Sequence, residues 1–405
     1  MNQPKLLVFS SLFPSNKRPN AGVFIRERMF RVGQHMPVIV VSPVPWFPLQ
    51  GIIRYWQPHF RPQPESCEEQ QGVQVYFPRF LSIPGLLKSW DGFFMALGSL
   101  STLIKIRKQF NIIDAHFAYP DGFAATLLGK CLKIPVIITL RGTEIPLSKI
   151  PGRKKWLLIA LKNATRVFSV SDSLKQHVVS LGADSDNIRV IGNGIDVTKF
   201  YPLAKTVARE ELNIPGDARV LISVGALVDR KGFHRVIEVL PALVVKYPEL
   251  IYLIVGGESP EGNIRERLEH QVKTLNLEEH VRFLGAYPSE HLKLPLSAAD
   301  LFVLATANEG WANVFLEAMA CGLPVITTEV GGNKEVVNNS GLGTVVPFGD
   351  SAALLAALLQ GFETVWDRSS IIQYARENSW DTRVRILVEE FQGIALSRCS
   401  KSGDV

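Results

Sequence analysis

Short runs of β-branched and aliphatic residues recur along this chain, and many are apolar almost throughout instead of alternating with polar residues. Alternation marks a strand with one wet face, whereas a continuous run marks a strand covered on both faces. In the first half the runs are "KLLVFS", "PVIVVS", "VQVYF", "IIDAHF", "PVIITL" and "RVFSV"; in the second they are "RVLISV", "LIYLIV", "VRFL", "LFVL" and "PVITT". Segments with helical period, such as "GFHRVIEVLPALVVKY" and "IRERLEHQVKTL", lie between them. Covered strands alternating with helices predict an α/β fold with a doubly wound parallel sheet. The pattern restarts near "YPLAKTVARE", so two such domains are expected, residues 1–200 and 201–375. Facing halves would leave a cleft into which the strand carboxyl ends point. "SWDTRVRILVEEFQGIAL" has helical period, and residues 376–405 are expected to pack back on the first domain. The Pro- and aromatic-rich stretch "VPWFPLQGIIRYWQPHFRPQPESCEEQQ" reads as a long irregular excursion.

Composition narrows the function classes. Hydrophobic residues make up 46% and charged residues 20%, which excludes wholesale disorder. No apolar run approaches the ~18 residues of a membrane span. "LLVFSSLF" near the start, with Lys5 before it and no small-residue cleavage site after it, reads as a buried strand and not a signal peptide. Cys67, Cys131, Cys321 and Cys399 are scattered, which argues against a zinc site or disulfide scaffold and fits a reducing cytoplasm. Charge is uneven. Residues 1–200 hold 25 basic and 12 acidic residues, a net of +13, and the rest holds 19 and 26, a net of −7. A basic half attracts anionic partners or simply forms a solvated surface. Basic residues are dispersed and no nucleic-acid motif is present, so nucleic acid is not an expected partner.

Most information sits in "ADLFVLATANEGWANVFLEAMACGLPVITTEVGGNKEVV", residues 299–337. A strand ends near Leu304, a loop carries Glu309, Gly310 and Trp311, and a helix is expected from Asn313, a good N-cap type. Gly322 and Pro324 mark its end. A helix start behind a strand is a ready anion site. On one helix, Glu309 and Glu317 would stand about 12 Å apart along the axis. A glycosidase pair needs about 5–9.5 Å, so this is no obvious hydrolase dyad. Two carboxylates at that spacing suit different parts of one extended ligand, for instance vicinal hydroxyls of a sugar or ribose. The plain alternative for Glu317 is a helix-surface residue.

The E-x7-E arrangement of Glu309 and Glu317 resembles the family-4 retaining glycosyltransferases of GT-B fold, two Rossmann-like domains facing across a cleft. "SVGALVDRKGFHRVIEVL" resembles their phosphate-binding loop, "VIGNGIDVTKFYP" their interdomain segment, and "SSLFPSNKRPNAGVFIRERM" their first glycine loop. "VSDSLKQHVV" and "AHFAYPDGFAA" fall where such enzymes have similar runs, so the ordered match covers most of residues 5–350. The resemblance implies transfer of a sugar from a nucleotide diphosphate sugar, a UDP- or GDP-sugar, with retained configuration and with no cofactor or metal. It implies that Lys231 is the main phosphate cation, with Arg230 as helper. Ala226 stands where many relatives have an arginine, and Arg141 and Glu144 stand where many have His and Asp. Glu317 would hold the ribose hydroxyls and Glu309 the transferred sugar. Asn313 and Val314 would offer N–H groups to the diphosphate. Gly310 and Trp311 would shape the loop, or Trp311 would simply pack. Gly22 would let backbone approach the phosphates, or be a plain turn glycine. His116, at a strand end, would position the sugar, or be a packed histidine. The leaving phosphate oxygen itself would accept the acceptor's proton. "DSD" at Asp184–Asp186 reads as a solvated turn and not a metal motif.

The N-terminal half of such enzymes takes the acceptor, here a glycan or lipid-linked glycan, as in cell-surface polysaccharide or glycolipid synthesis. Lys149, Arg153, Lys154 and Lys155 precede "WLLIALKNA", and "LSIPGLLKSWDGFF" and the Trp46, Phe47 and Trp56 loop add apolar surface. This suits a cytoplasmic protein lying peripherally on an anionic membrane face, or these faces are core. An epimerase or hydrolase of the same fold, or an inactive nucleotide-sugar-binding protein, are the competing readings. A dinucleotide dehydrogenase is excluded because no G-x-G-x-x-G follows the first strand.

Overall fold

A computed structural model describes residues 3–57, 60–259 and 261–401, with side chains to residue 397; the side chain of Cys399 lies outside the described residues, as do Pro58 and His59 of the excursion. Two compact units are present, Met1–Gly192 with Arg383–Val405, and Asn193–Thr382. The limits expected from sequence were 200 and 376.

The first unit is built on an eight-stranded sheet. Its spatial order is Ile188–Val190, Arg166–Ser169, Val136–Leu140, Ile112–His116, Leu6–Phe9, Val38–Val41, Val73–Tyr76 and Cys67–Gln70. All neighbours are parallel except the last pair. The central strands Leu6–Phe9, Ile112–His116 and Val136–Leu140 are buried along their whole length, as their unbroken apolar runs require. Their core is completed by Val384, Leu387 and Phe391 of the terminal helix Trp380–Lys401. Because His116 pairs with Thr139, the loops after these two strands leave the sheet side by side.

The excursion after residue 43 is not irregular throughout. Val44–Trp46 pairs with Arg79–Leu81 in a small parallel sheet, Gln50–Ile53 forms one helical turn, and Cys67–Gln70 forms the antiparallel edge. Arg54 donates to the carbonyls of Phe60 (3.1 Å) and Arg61 (2.8 Å), and the Arg61 guanidinium lies over the rings of Phe47 and Phe60. "CEEQ" has no apolar signature, so only its partner strand makes it extended.

The second unit has six parallel strands in the order Val281–Gly285, Ile251–Val255, Val220–Val224, Leu301–Leu304, Val325–Thr328 and Gly343–Val346. Helices cover both faces and create two apolar layers, one around Phe302 and Phe315, the other around Phe233 and Tyr252. None of the described helices is long and apolar enough to cross a membrane.

Candidate functional site

In the second unit the turn Asp229–Lys231 follows the strand Val220–Val224, and the loop 305–312 follows Leu301–Leu304. These neighbouring strands bring the two segments together, and three contacts stitch them. Thr306 Oγ1 donates to the Arg230 carbonyl at 2.8 Å, the Ala307 N–H donates to the same carbonyl at 2.7 Å, and Gly232 lies against Ala305. At Gly232 (φ 77°) a Cβ would fall 1.9 Å from the Ala305 carbonyl oxygen, so only glycine fits. The result is a buried ion pair. Lys231 Nζ donates to Glu309 Oε1 at 2.6 Å, Thr306 Oγ1 lies 3.3 Å from the same oxygen, and Arg230 Nη1 stands at 3.6 Å. The stem of Lys231 runs across Gly225, whose missing side chain leaves it room. Arg230 gives its two best hydrogen bonds to Glu261, at 2.7 and 2.8 Å.

The helix runs Asn313–Ala320, and its N-cap is Ala312, not Asn313 as expected; no side chain caps it. Asn313 instead accepts a hydrogen bond from Asn193 Nδ2 at 2.9 Å, which ties the helix start to the "IGNG" segment. The uncapped first turn leaves N–H groups without an intrahelical acceptor, including those of Asn313 and Val314. Glu317 is half-buried and not a surface residue. Burial pushes its carboxyl up to about 7, against the pull of Lys231 and Lys199. It has no hydrogen-bonding side chain or main-chain partner among the described residues, in contrast to Glu309. Trp311 packs against the core layer around Phe315, and its indole N–H has no acceptor among the described residues. Gly310 is half-buried between Glu309 and Trp311. A turn at Gly331–Gly332 follows the strand Val325–Thr328. At Gly331 (φ 50°) a Cβ would sit 1.6 Å from the Glu309 carbonyl oxygen, so this turn backs the loop that holds Glu309.

The first unit gathers its own polar groups at its strand ends. His116 is fully buried. Its Nδ1 faces the Arg141 guanidinium, 3.3 Å from Nε and 3.0 Å from Nη2, so Nδ1 accepts and the ring proton belongs on Nε2. Nε2 stands 3.5 Å from Asp114 Oδ2 and has no closer partner. Burial lowers the imidazole to about 4, which keeps it neutral and a poor proton acceptor. His116 therefore acts on its surroundings through Arg141, whose own pKa burial holds well below the usual value. Glu144 is a structural carboxylate. It accepts main-chain N–H groups from Ala118 (3.0 Å), Arg141 (3.2 Å) and Gly142 (2.8 Å) and thereby clamps the two strand-end loops. Asp121, which sequence reasoning missed, accepts the N–H and hydroxyl of Ser11 at 2.5 and 3.1 Å; burial raises its carboxyl to about 7. Its only sequence signal was its place in "AHFAYPDGFAA". Gly22 precedes the helix Val23–Val32 with φ 68°, and a Cβ there would fall 2.3 Å from the Leu12 carbonyl oxygen. The left-handed backbone and the Leu12 carbonyl both require glycine at this turn. In "DSD", Asp184 Oδ1 accepts the Asp186 N–H at 3.0 Å in an exposed turn. Among the described residues no group of three or more His, Cys, Asp or Glu could hold a metal ion.

Comparison with known proteins matches two families to this chain. Residues 204–378 match the family described as glycosyl transferases group 1, and residues 52–199 match glycosyltransferase family 4. A putative teichuronic acid biosynthesis glycosyltransferase, TuaC of Bacillus subtilis, is 29% identical over 377 residues, 89% of this chain and 90% of that protein. Among solved structures, Anabaena Alr3699/HepE in complex with UDP has a TM-score of 0.73 at 18% identity, covering 96% of this chain and 100% of that one. Sucrose-phosphate synthase from Thermosynechococcus elongatus has a TM-score of 0.75 at 21% identity, covering 98% and 100%. With parallel sheets in both units and both halves matched in order, the chain belongs to the family-4 glycosyltransferases of GT-B fold.

Proposed function

We propose that this glycosyltransferase moves a sugar from a UDP- or GDP-sugar to a glycan or lipid-linked glycan, with retention and without a metal ion. The observation that carries the reading is the asymmetry of two carboxylates. Glu309 is held by Lys231, and the carboxyl of Glu317 on the following helix has no hydrogen-bond partner among the described residues. Ribose hydroxyls would give Glu317 the donors it lacks, and a diphosphate would share Lys231 and the free N–H groups at Asn313 and Val314. Such prearranged donors stabilise charge that develops on a leaving diphosphate. Glu309 would then turn from Lys231 toward the transferred sugar. A neutral, enclosed His116 fits a mechanism in which the leaving phosphate oxygen accepts the acceptor's proton, with His116 and Arg141 as positioning groups. The UDP named for the HepE complex and the teichuronic acid named for TuaC support a nucleotide donor and a polysaccharide product.

Calorimetric titration with UDP, GDP and ADP, on the wild type beside Lys231→Ala and Glu317→Ala, tests the donor site. Binding of one nucleotide, weakened in both variants, is expected; no binding by folded protein sinks the reading. The anomeric configuration of the product, read by NMR with EDTA present, tests retention and metal independence. Release of free sugar without any acceptor would favour the hydrolase reading.

Peripheral attachment to the cytoplasmic membrane face rests on exposed apolar residues of the first unit. Leu49, Tyr55 and Trp56 are 76%, 85% and 76% exposed, and Leu86, Leu87 and Trp90 stand out on the neighbouring loop. "WLLIALKNA" does not contribute as expected, because Leu157, Ala160 and Leu161 are core. Co-sedimentation with anionic vesicles, lost in Tyr55→Ser/Trp56→Ser, checks this; wild-type protein left in the supernatant would end it.

A further inference from the structure

His116 stands between a carboxylate and a guanidinium. Asp114 Oδ2 lies 3.5 Å from its Nε2, and Arg141 Nη2 lies 3.0 Å from its Nδ1. A carboxylate beside an imidazole favours the imidazolium. If the ring took up a second proton, Nδ1 would carry a hydrogen, and the Arg141 guanidinium would face another cation at hydrogen-bond distance. The contact that docks Arg141 therefore lasts only while Asp114 fails to draw that proton in. Burial is the main reason that the imidazole sits at about 4; Asp114 pushes it up, and the charges of Arg141 and Arg28 push it down.

Local packing does not explain Arg28. It sits on the helix Val23–Val32 beside the buried Ile25, Met29 and Val32, and it is 1% exposed. An apolar side chain would fill that place without the cost of burying a charge. Its Nη1 makes one long hydrogen bond, 3.4 Å to the Ile191 carbonyl, and its Nε and Nη2 have no partner among the described residues. Burial lowers the guanidinium to about 10, so it stays charged at neutral pH; Asp114 supports that charge, and Arg383 on the terminal helix opposes it. Asp114 is itself buried, and its contacts are long, 3.4 Å from the Thr139 hydroxyl and 3.5 Å from His116. One turn before Arg28, the ring of Phe24 lies under the Arg141 guanidinium, its centre 5.3 Å away. The same helix thus supports Arg141 by contact and acts on Asp114 by charge. The other charged groups on the elements packed there are turned elsewhere. Glu144 accepts main-chain N–H groups, Asp121 accepts from Ser11, Glu27 pairs with Arg31, and Arg26 lies on the opposite side of its helix from Arg28.

We propose that Arg28 is a positioning residue: from inside the first unit it offsets the charge of Asp114, so that His116 keeps a lone pair on Nδ1 and Arg141 stays docked on the ring. The proposal rests on the positioning role given above to His116 and Arg141, and it adds a third, enclosed residue that acts through them.

Full-length protein labelled with 15N at histidine, followed by NMR from neutral pH to about pH 4.5, reads the ring directly, and His116→Gln supplies the assignment. The wild-type ring should stay mostly neutral over this range. Arg28→Met and Arg28→Gln both remove the charge, one keeping apolar packing and the other a hydrogen-bond donor, and folding of either suffices. Each should raise the titration of His116 by about one pH unit or more. Arg28→Lys keeps the charge and should leave the titration near that of the wild type. Arg28→Met/Asp114→Asn also removes the carboxylate that recruits the proton and should bring the titration back down. A titration unmoved in the neutral variants, Arg28→Lys shifted as far as Arg28→Met, or a double variant as high as the single one overturns the proposal. Nucleoside diphosphate titration of the same samples separates it from the donor reading. Wild-type protein that binds no nucleotide breaks that reading and leaves the His116 shifts standing, whereas unmoved shifts in a protein that binds nucleotide break only this proposal.

Discussion

The two units use the same architecture, strand ends of a parallel sheet, to opposite electrostatic ends. In the second unit, charged side chains face one another across a small gap: Lys231 meets Glu309, Arg230 stands close by, and Glu317 has nothing to bond. In the first, Glu144 and Asp121 turn inward and are saturated by main-chain N–H groups and a hydroxyl, while His116 is enclosed beside Arg141. A carboxylate satisfied by backbone holds loops in place, and one satisfied by a lysine side chain, or by nothing, can exchange its partner for a ligand. The contrast separates charge fixed by backbone from charge left open to a new partner.

Lys231→Ala should break the second arrangement most severely. It removes the cation and strands Glu309, and kcat/KM should fall about 100- to 1,000-fold, by the measure of a lost charge-stabilising donor. Urea unfolding should register the stranded carboxylate as well, softened by Arg230 at 3.6 Å from it. Glu144→Ala should act on stability first. Three main-chain N–H groups lose their acceptor, and unfolding free energy should drop by about 2–4 kcal/mol in a denaturant titration. If Glu144→Ala left stability untouched and removed only activity, the division drawn here would fail. Gly22→Ala should cost about 1–3 kcal/mol, since it forces a side chain into the left-handed region and onto the Leu12 carbonyl.

Glu317→Gln sharpens the comparison through pH. The folded carboxyl titrates near 7, whereas the unfolded one titrates near its ordinary value of 4.5. Between these values the folded chain holds the extra proton, so this group's stabilising contribution is complete below 4.5 and is lost as pH rises through 7. The glutamine variant should flatten that part of the stability–pH curve and weaken nucleotide binding about ten-fold. Arg230→Ala should be mildest, a few-fold at most in nucleotide affinity, because its guanidinium is already engaged by Glu261 in an exposed pair. A loss equal to that of Lys231→Ala would show that Arg230 does replace the arginine missing at Ala226.

Sheet order aside, the central strands of both units were legible because a strand buried on both faces writes its burial into consecutive residues. Val44–Trp46, Arg79–Leu81 and Ile188–Val190 were not, since three residues carry no period, and "CEEQ" becomes a strand only by pairing with Val73–Tyr76. The second unit's site was readable because Glu309, Trp311, Asn313 and Glu317 share one segment. Asp121 escaped notice, and Glu144 drew it only as a departure from the family's aspartate, because main-chain N–H groups are their chief partners and leave no pattern among side chains.

Gly331 carries a consequence for inheritance and for protein engineering. Its backbone touches that of Glu309 with no room for a methyl group. The stretch from 309 to 331 therefore has to be exchanged as one block when domains are shuffled between relatives. A chimaera joined inside it would bring together two loops that were never fitted to each other, and the damage would reach the carboxylate before it reached the fold.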